Sequence, residues 1–253
     1  MTLEYLAFAN LILLPRLIYL VNDGPLSRWQ SVGVGLLQII LVMAVFKWTL
    51  ALLGVVLTVV GISILAVTLQ RKVILAKGYR ILSLLGLLLI PGYFSSFGEG
   101  FVFTAEFSAV AAHLGSHLPL LADLNADSLG NLSSLLLGIL LLANETNIGI
   151  RAAFHHLQLV PHEKENPEKI DEKEYNAGRV IGILERWLMF IVVVATDDLS
   201  ALAFIIAAKG LARMKQLDDK QFAEYMLVGT LLSALSAVLV GFWVKQLLKT
   251  GLS

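Results

Sequence analysis

Apolar stretches recur along almost the whole chain, near residues 3–21, 30–46, 49–69, 81–97, 129–150, 177–196, 198–214 and 222–244. A helix of about 17–25 predominantly apolar residues crosses ~30 Å of hydrocarbon, and these stretches have about that length. Backbone groups in lipid must satisfy one another within the segment, so each stretch is expected to be an α-helix. The expectation is therefore an all-α fold, a polytopic transmembrane helical bundle of about eight spans with the lipid bilayer as its surroundings. Apolar residues make up 57% of the chain and charged residues 15%, a balance that excludes an ordinary soluble domain. The first stretch has no basic leader and no small-residue cleavage site, so it reads as a retained span.

Basic residues orient the spans, because Lys and Arg concentrate in cytoplasmic connections. Arg71, Lys72, Lys77 and Arg80 crowd the connection after the third span, and Ile81 to Ile150 holds no Lys or Arg. Arg151, Lys164, Lys169, Lys173 and Arg179 follow, then Lys209, Arg213, Lys215 and Lys220. This places both termini on the outer side of the membrane. The organisation expected is a five-span part over 1–160 with an external loop or helix near 98–128, a charged cytoplasmic linker over 161–176, and a three-span module over 177–253. Phe101 to Leu121 reads as an interfacial or re-entrant helix, since it carries Glu106, His113 and His117. Pro15-Arg16 and Pro91-Gly92 mark expected bends, the latter with a hint of an internal cavity.

Polar residues interrupt the last three stretches: Glu185 and Arg186, then Lys209 and Arg213, then Glu224, Tyr225, Gly229, Thr230 and Ser233. Ionisable groups at membrane depth are costly and mark functional sites by default. Thr196-Asp197-Asp198 makes 177–214 a hairpin, with Asp198 placed to cap the following helix. Glu185 then precedes Thr196 by eleven residues and Lys209 follows Asp198 by eleven, so the two share one depth. Arg213 shares the Lys209 face, and Glu185 is expected to pair with one of them.

The ordered motifs Gly178-x3-Gly182-x2-Glu185-Arg186, Ala207-Ala208-Lys209-x3-Arg213 and Glu224-Tyr225-x3-Gly229-Thr230-x2-Ser233 resemble the tail of a bacterial integral membrane family of unknown function. The resemblance covers roughly the C-terminal third and implies a multi-pass protein of a bacterial cytoplasmic (inner) membrane with a portable C-terminal module, without an activity. The early His and Asp-Phe signature of that family's N-terminal half is absent here.

Three clusters are candidate sites. Glu185, Arg186, Lys209, Arg213, Glu224 and Thr230 suit an anion, or else form a structural ion-pair network. Asn144, Glu145 and Arg151 either join that chamber or end a helix at the head groups. Glu106, His113 and His117 share roughly one helix face, with a His pair at the spacing of helical metal sites, against the plainer reading of a polar surface. Gly229, Ser233, Ala237 and Gly241 form a small-residue stripe, fit either for packing inside the subunit or for a partner helix or homo-oligomer. With no cysteine, disulfides and thiolate chemistry are excluded, and a net charge of zero gives no reason to expect nucleic acid. No cofactor is indicated. The leading expectation is binding or transport of a small anionic or amphiphilic ligand. The alternatives are a non-catalytic assembly subunit and, last, an enzyme acting on lipid head groups.

Overall fold

The structure, a computed structural model, describes residues 2–21, 26–69, 73–96, 98, 100–117, 126–157, 159 and 172–250. Among these the regular structure is helical, apart from a single antiparallel bridge between Phe46 and Phe103. The helices are α1 (Leu3–Arg16), α2 (Ile18–Val21), α3 (Arg28–Val45), α4 (Leu50–Leu69), α5 (Val73–Ser95), α6 (Ala105–His117), α7 (Ala126–Leu140), α8 (Thr146–His156), α9 (Glu172–Ala195), α10 (Ser200–Ala212) and α11 (Lys220–Thr250). A π-helical turn, Leu141–Glu145, joins α7 to α8, and a 3₁₀ turn, Met214–Gln216, follows α10.

Among the described residues five helical stretches are long and apolar enough to cross a membrane: Arg28–Val45, Leu50–Thr68, Gly78–Ser95, Ser128–Phe154 and Phe222–Lys249. Their outward side chains are apolar, as along α11, where Leu227, Leu231, Leu235 and Leu239 are all exposed at four-residue intervals. A solvated surface would not tolerate such stripes, whereas lipid covers them. The chain is a multi-pass membrane protein. The three other expected spans are helical but fall outside this set. α1 has 14 residues and α10 has 13, each ~20 Å of rise, and α9 carries Arg179, Glu185 and Arg186.

Packing divides the chain into two compact units, Met1–Leu140 with Leu247–Ser253, and Leu141–Gln246. In the first, Phe8 and Ile12 of α1 meet Val42 and Phe46 of α3, Leu52, Val55 and Val59 of α4, Leu87 of α5, and Phe101. The Phe8 and Phe101 rings stack at 4.4 Å. Lys47 N–H donates to the Val102 carbonyl and Thr104 N–H to that of Val45, pinning the extended segment that leads into α6. Pro15 ends α1 one residue later, and the chain re-enters helix at Ile18. Pro91 instead lies inside a continuous α5. The Tyr5 hydroxyl donates to the Leu88 carbonyl at 2.8 Å, and the same ring packs on Gly92, occupying the space where a cavity was expected.

Two assignments from charge counting change. Arg80 belongs to α5 and is buried, not in the basic connection. Its carbonyl accepts from Arg16 Nη2 at 2.8 Å, and both guanidiniums lie over the Tyr19 ring, at 4.3 Å for Arg80 and 5.3 Å for Arg16. The linker also ends sooner. Residues 172–176 already belong to α9, because no proline follows Pro167 and Glu172-Lys173-Glu174 favour helix; 161–171 lie outside the described residues.

In the second unit, α9 and α10 are separate helices joined by residues 196–199. The N-cap position of α10 is Leu199, which makes no side-chain cap bond; Asp198, one residue earlier, instead accepts the N–H of Ser200, the first helical residue, on Oδ1 at 2.8 Å. That backbone bond, with the Ser200 side chain, holds the Asp198 carboxyl below the ordinary aspartate value. Lys245 of α11 donates to the carbonyls of Val193 and Thr196 and to the Asp197 carboxylate. Its ammonium thereby satisfies carbonyls that the α9 C-terminus leaves open, where a positive charge is favoured.

Candidate anion-binding cleft

The second unit builds a cleft of about 100 Å³ from four helices. α8 contributes Asn147, Ile150, Arg151 and Phe154, and α9 contributes Gly178, Arg179, Ile181, Gly182 and Arg186. Lys209 of α10 and Arg213 just beyond it add two cations, and α11 closes the wall with Tyr225, Met226, Gly229, Thr230 and Ser233. On each helix the lining positions recur at three- and four-residue steps, which puts them on one face. Arg179 and Arg186 are about 10 Å apart along α9 by helical rise. Arg186 therefore marks one end of the cleft, with Asn147 and Ser233, and Arg179 the other, with Phe154, Arg213 and Tyr225.

Glu185 and Lys209 form the expected ion pair, Nζ to Oε2 at 2.5 Å, with side chains 16% and 19% exposed. Lys209 lines the cleft, and Glu185 is not among the lining residues. Arg186, next in sequence, is buried at 3% exposure. Its Nε donates to the Leu142 carbonyl at 2.9 Å and its Nη1 to Ser233 Oγ at 3.3 Å, while Nη2 is buried with no hydrogen-bond partner among the described residues. Leu142 lies in the π-helical turn, a rare distortion that concentrates at functional sites. Five basic side chains thus line one small space, and among the described lining residues none is acidic.

The other expected residues divide. Arg213 lines the cleft and lies 5.7 Å from the Phe222 ring centroid. Thr230 lines it too and donates back to the Met226 carbonyl at 2.7 Å. Arg151 joins the cleft together with its neighbour Asn147. Asn144 is buried in the π turn and donates to Glu145 Oε1 at 2.8 Å, and neither lines the cleft. Glu224 is not part of the cluster: it is exposed and faces Lys220 one turn back at 3.9 Å.

The small-residue stripe is used inside the subunit. A Cβ on Gly229 would come within 2.7 Å of the Phe154 ring, and one on Gly241 within 2.7 Å of Val193 Cγ1. Ser233 accepts from Arg186, and Ala237 is fully buried. On α6, Glu106 and His113 are exposed, and the side chain of His117 lies outside the described residues. Among the described residues no three His, Asp or Glu side chains gather as a metal site.

Ile150, Phe154, Ile181 and Met226 line the cleft but carried no signal of their own. Phe154, whose ring lies 4.7 Å from that of Tyr225, reads as an ordinary aromatic, and the π turn has no sequence mark beyond the polar run Asn144–Asn147. No family model, curated protein or solved structure matches the chain.

Proposed function

We propose that this protein binds a small anion, or the anionic group of an amphiphile, in the cleft between α8, α9, α10 and α11, as part of carrying that ligand in a bacterial inner membrane. The observation that supports this reading is the concentration of Arg151, Arg179, Arg186, Lys209 and Arg213 around about 100 Å³ of space. Cations held together at membrane depth repel one another and lose hydration, and an anion relieves both costs. Glu185 offsets part of the charge through Lys209.

Counting α1, α9 and α10 as crossings beside the five long apolar helices gives eight, with both ends of the chain outside. The cleft then opens toward the cytoplasm, because Arg179 and Arg213 lie next to the basic connections. The assembly-subunit alternative draws less support, since Gly229 and Gly241 already receive Phe154 and Val193 of the same chain.

Native mass spectrometry of the gently extracted protein tests the reading. It predicts a retained anionic species that is lost in Lys209→Met while the protein stays folded. A protein that never carries an anionic species, or carries it equally well in Lys209→Met, contradicts it.

A further inference from the structure

We infer that the group bound in this cleft is a phosphate, anchored by the inner guanidinium nitrogen of Arg186. This rests on the anionic-ligand reading above and narrows it to one chemistry. Two of the three Arg186 nitrogens are committed, Nε to the Leu142 carbonyl and Nη1 to Ser233 Oγ. Those bonds come from different helices and fix the guanidinium plane, so Nη2 points one way only. Nη2 is the nitrogen that lacks a partner, on a side chain 3% exposed that lines the cleft. A buried charged donor without an acceptor is costly, and the arrangement makes sense when a ligand oxygen supplies that acceptor.

The rest of the cleft favours phosphate over a halide or a carboxylate. A planar guanidinium recognises oxyanions through directional hydrogen bonds, whereas a halide needs only charge. Ser233 accepts from Arg186, which leaves its hydroxyl proton to give to a further oxygen. Lys209 has one donor on Glu185 and further donors to offer from α10. These donors reach the space from three directions and suit a tetrahedral group with several oxygens better than a two-oxygen carboxylate. The lining is basic, which favours a doubly charged phosphate monoester over a singly charged anion, and about 100 Å³ admits a group of that size. The π turn at Leu141–Glu145 acts as a positioning element, since its Leu142 carbonyl holds Arg186 in place.

The same chemistry belongs to inorganic phosphate and to the head group of phosphatidic acid, and two arms of one experiment separate them. The purified full chain in detergent is titrated with radiolabelled orthophosphate, with acetate and chloride as competitors. In parallel it is placed in nanodiscs of phosphatidylcholine with or without phosphatidic acid, and retained lipid is weighed by native mass spectrometry. Orthophosphate binding that acetate and chloride displace poorly identifies a free phosphate site. Selective retention of phosphatidic acid without orthophosphate binding identifies a lipid phosphate site, and either result supports the inference. Arg186→Lys keeps the charge but cannot hold Leu142 and Ser233 and still aim a fixed donor at the ligand, so it weakens phosphate binding by about tenfold or more. Acetate or chloride binding as tightly as phosphate overturns the phosphate assignment and leaves the anion reading standing. Binding of none of these probes overturns both. The competition uses the natural protein, so it decides the matter even if Arg186→Lys does not fold.

Discussion

Lys209 reaches across from α10 to bond the Glu185 carboxylate of α9 at 2.5 Å, joining the two arms of the hairpin well away from its turn. Both side chains are more than four-fifths buried. Removing one partner leaves the other with neither water nor a counter-charge. Lys209→Met or Glu185→Gln alone should therefore destabilise the protein by about 1–3 kcal/mol. The double variant should recover part of that loss, because it leaves no orphaned charge. Thermal unfolding in detergent of all four proteins reads the coupling; strict additivity would show that the pair contributes nothing as a pair.

The two glycines of α11 should respond differently to a methyl group. At Gly241 the added Cβ meets Val193 close to its own Cβ, at 2.9 Å, on a stiff β-branched side chain. At Gly229 the nearest atom is the tip of the Phe154 ring, which can swing. Gly241→Ala should cost about 1–3 kcal/mol, the usual penalty of overpacking, and Gly229→Ala less. Unfolding midpoints of the two variants check the order, and the reverse order would mean that α11 packs on α9 differently.

Lys245 ties α11 to the end of α9 through the Val193 and Thr196 carbonyls and the Asp197 carboxylate. Lys245→Met removes a charged cap worth about 1 kcal/mol. Amide hydrogen exchange across Val192–Asp198 should speed up while exchange in α4 stays as it was. Unchanged exchange in the turn would mean that the lysine is not holding it.

The sequence made some of this legible and hid the rest, for identifiable reasons. Glu185 and Lys209 stand eleven residues either side of an acidic turn, so helical rise alone set them level. Arg186 was visible as a charge, but its role depends on Leu142, whose carbonyl comes from a π turn that hydropathy does not mark. Glu224 looked like a member of the cluster because it opens a motif, yet its position on α11 turns it to Lys220 and the surface. Arg80 reads from the sequence as a loop cation, because charge counting assigns basic residues to connections. In the fold Tyr19 and Arg16 cover it inside the first unit. The helices themselves were the easy part, since their apolar length dictates them.

Acid should loosen the α9–α10 turn. The Asp198 carboxyl sits below its ordinary value because the Ser200 N–H, and then the Ser200 side chain, favour the charged form. A depressed folded-state value gives a contribution that is complete above the unfolded aspartate range and is lost as pH falls through the lower, folded value. Protection of the Ser200 amide should therefore decline at the acid end of that range, and Asp198→Ala should abolish this dependence. A pH-independent Ser200 amide would show that the bond does not form in solution.

The sign of charge inside the cleft is the claim on which the functional account stands, and the cysteine-free chain lets it be read chemically. Met226 lines the cleft, so Met226→Cys places one thiol there. An excess unit charge about 10 Å away at an effective dielectric near 20 amounts to roughly 1.7 kcal/mol, more than tenfold in rate. The measurement is the ratio of labelling rates with negatively and positively charged thiosulfonates of similar size, normalised to a free thiol. The account predicts that the negative reagent reacts faster by about tenfold or more, with the advantage reduced in Lys209→Met. Equal rates, or a faster positive reagent, would contradict it.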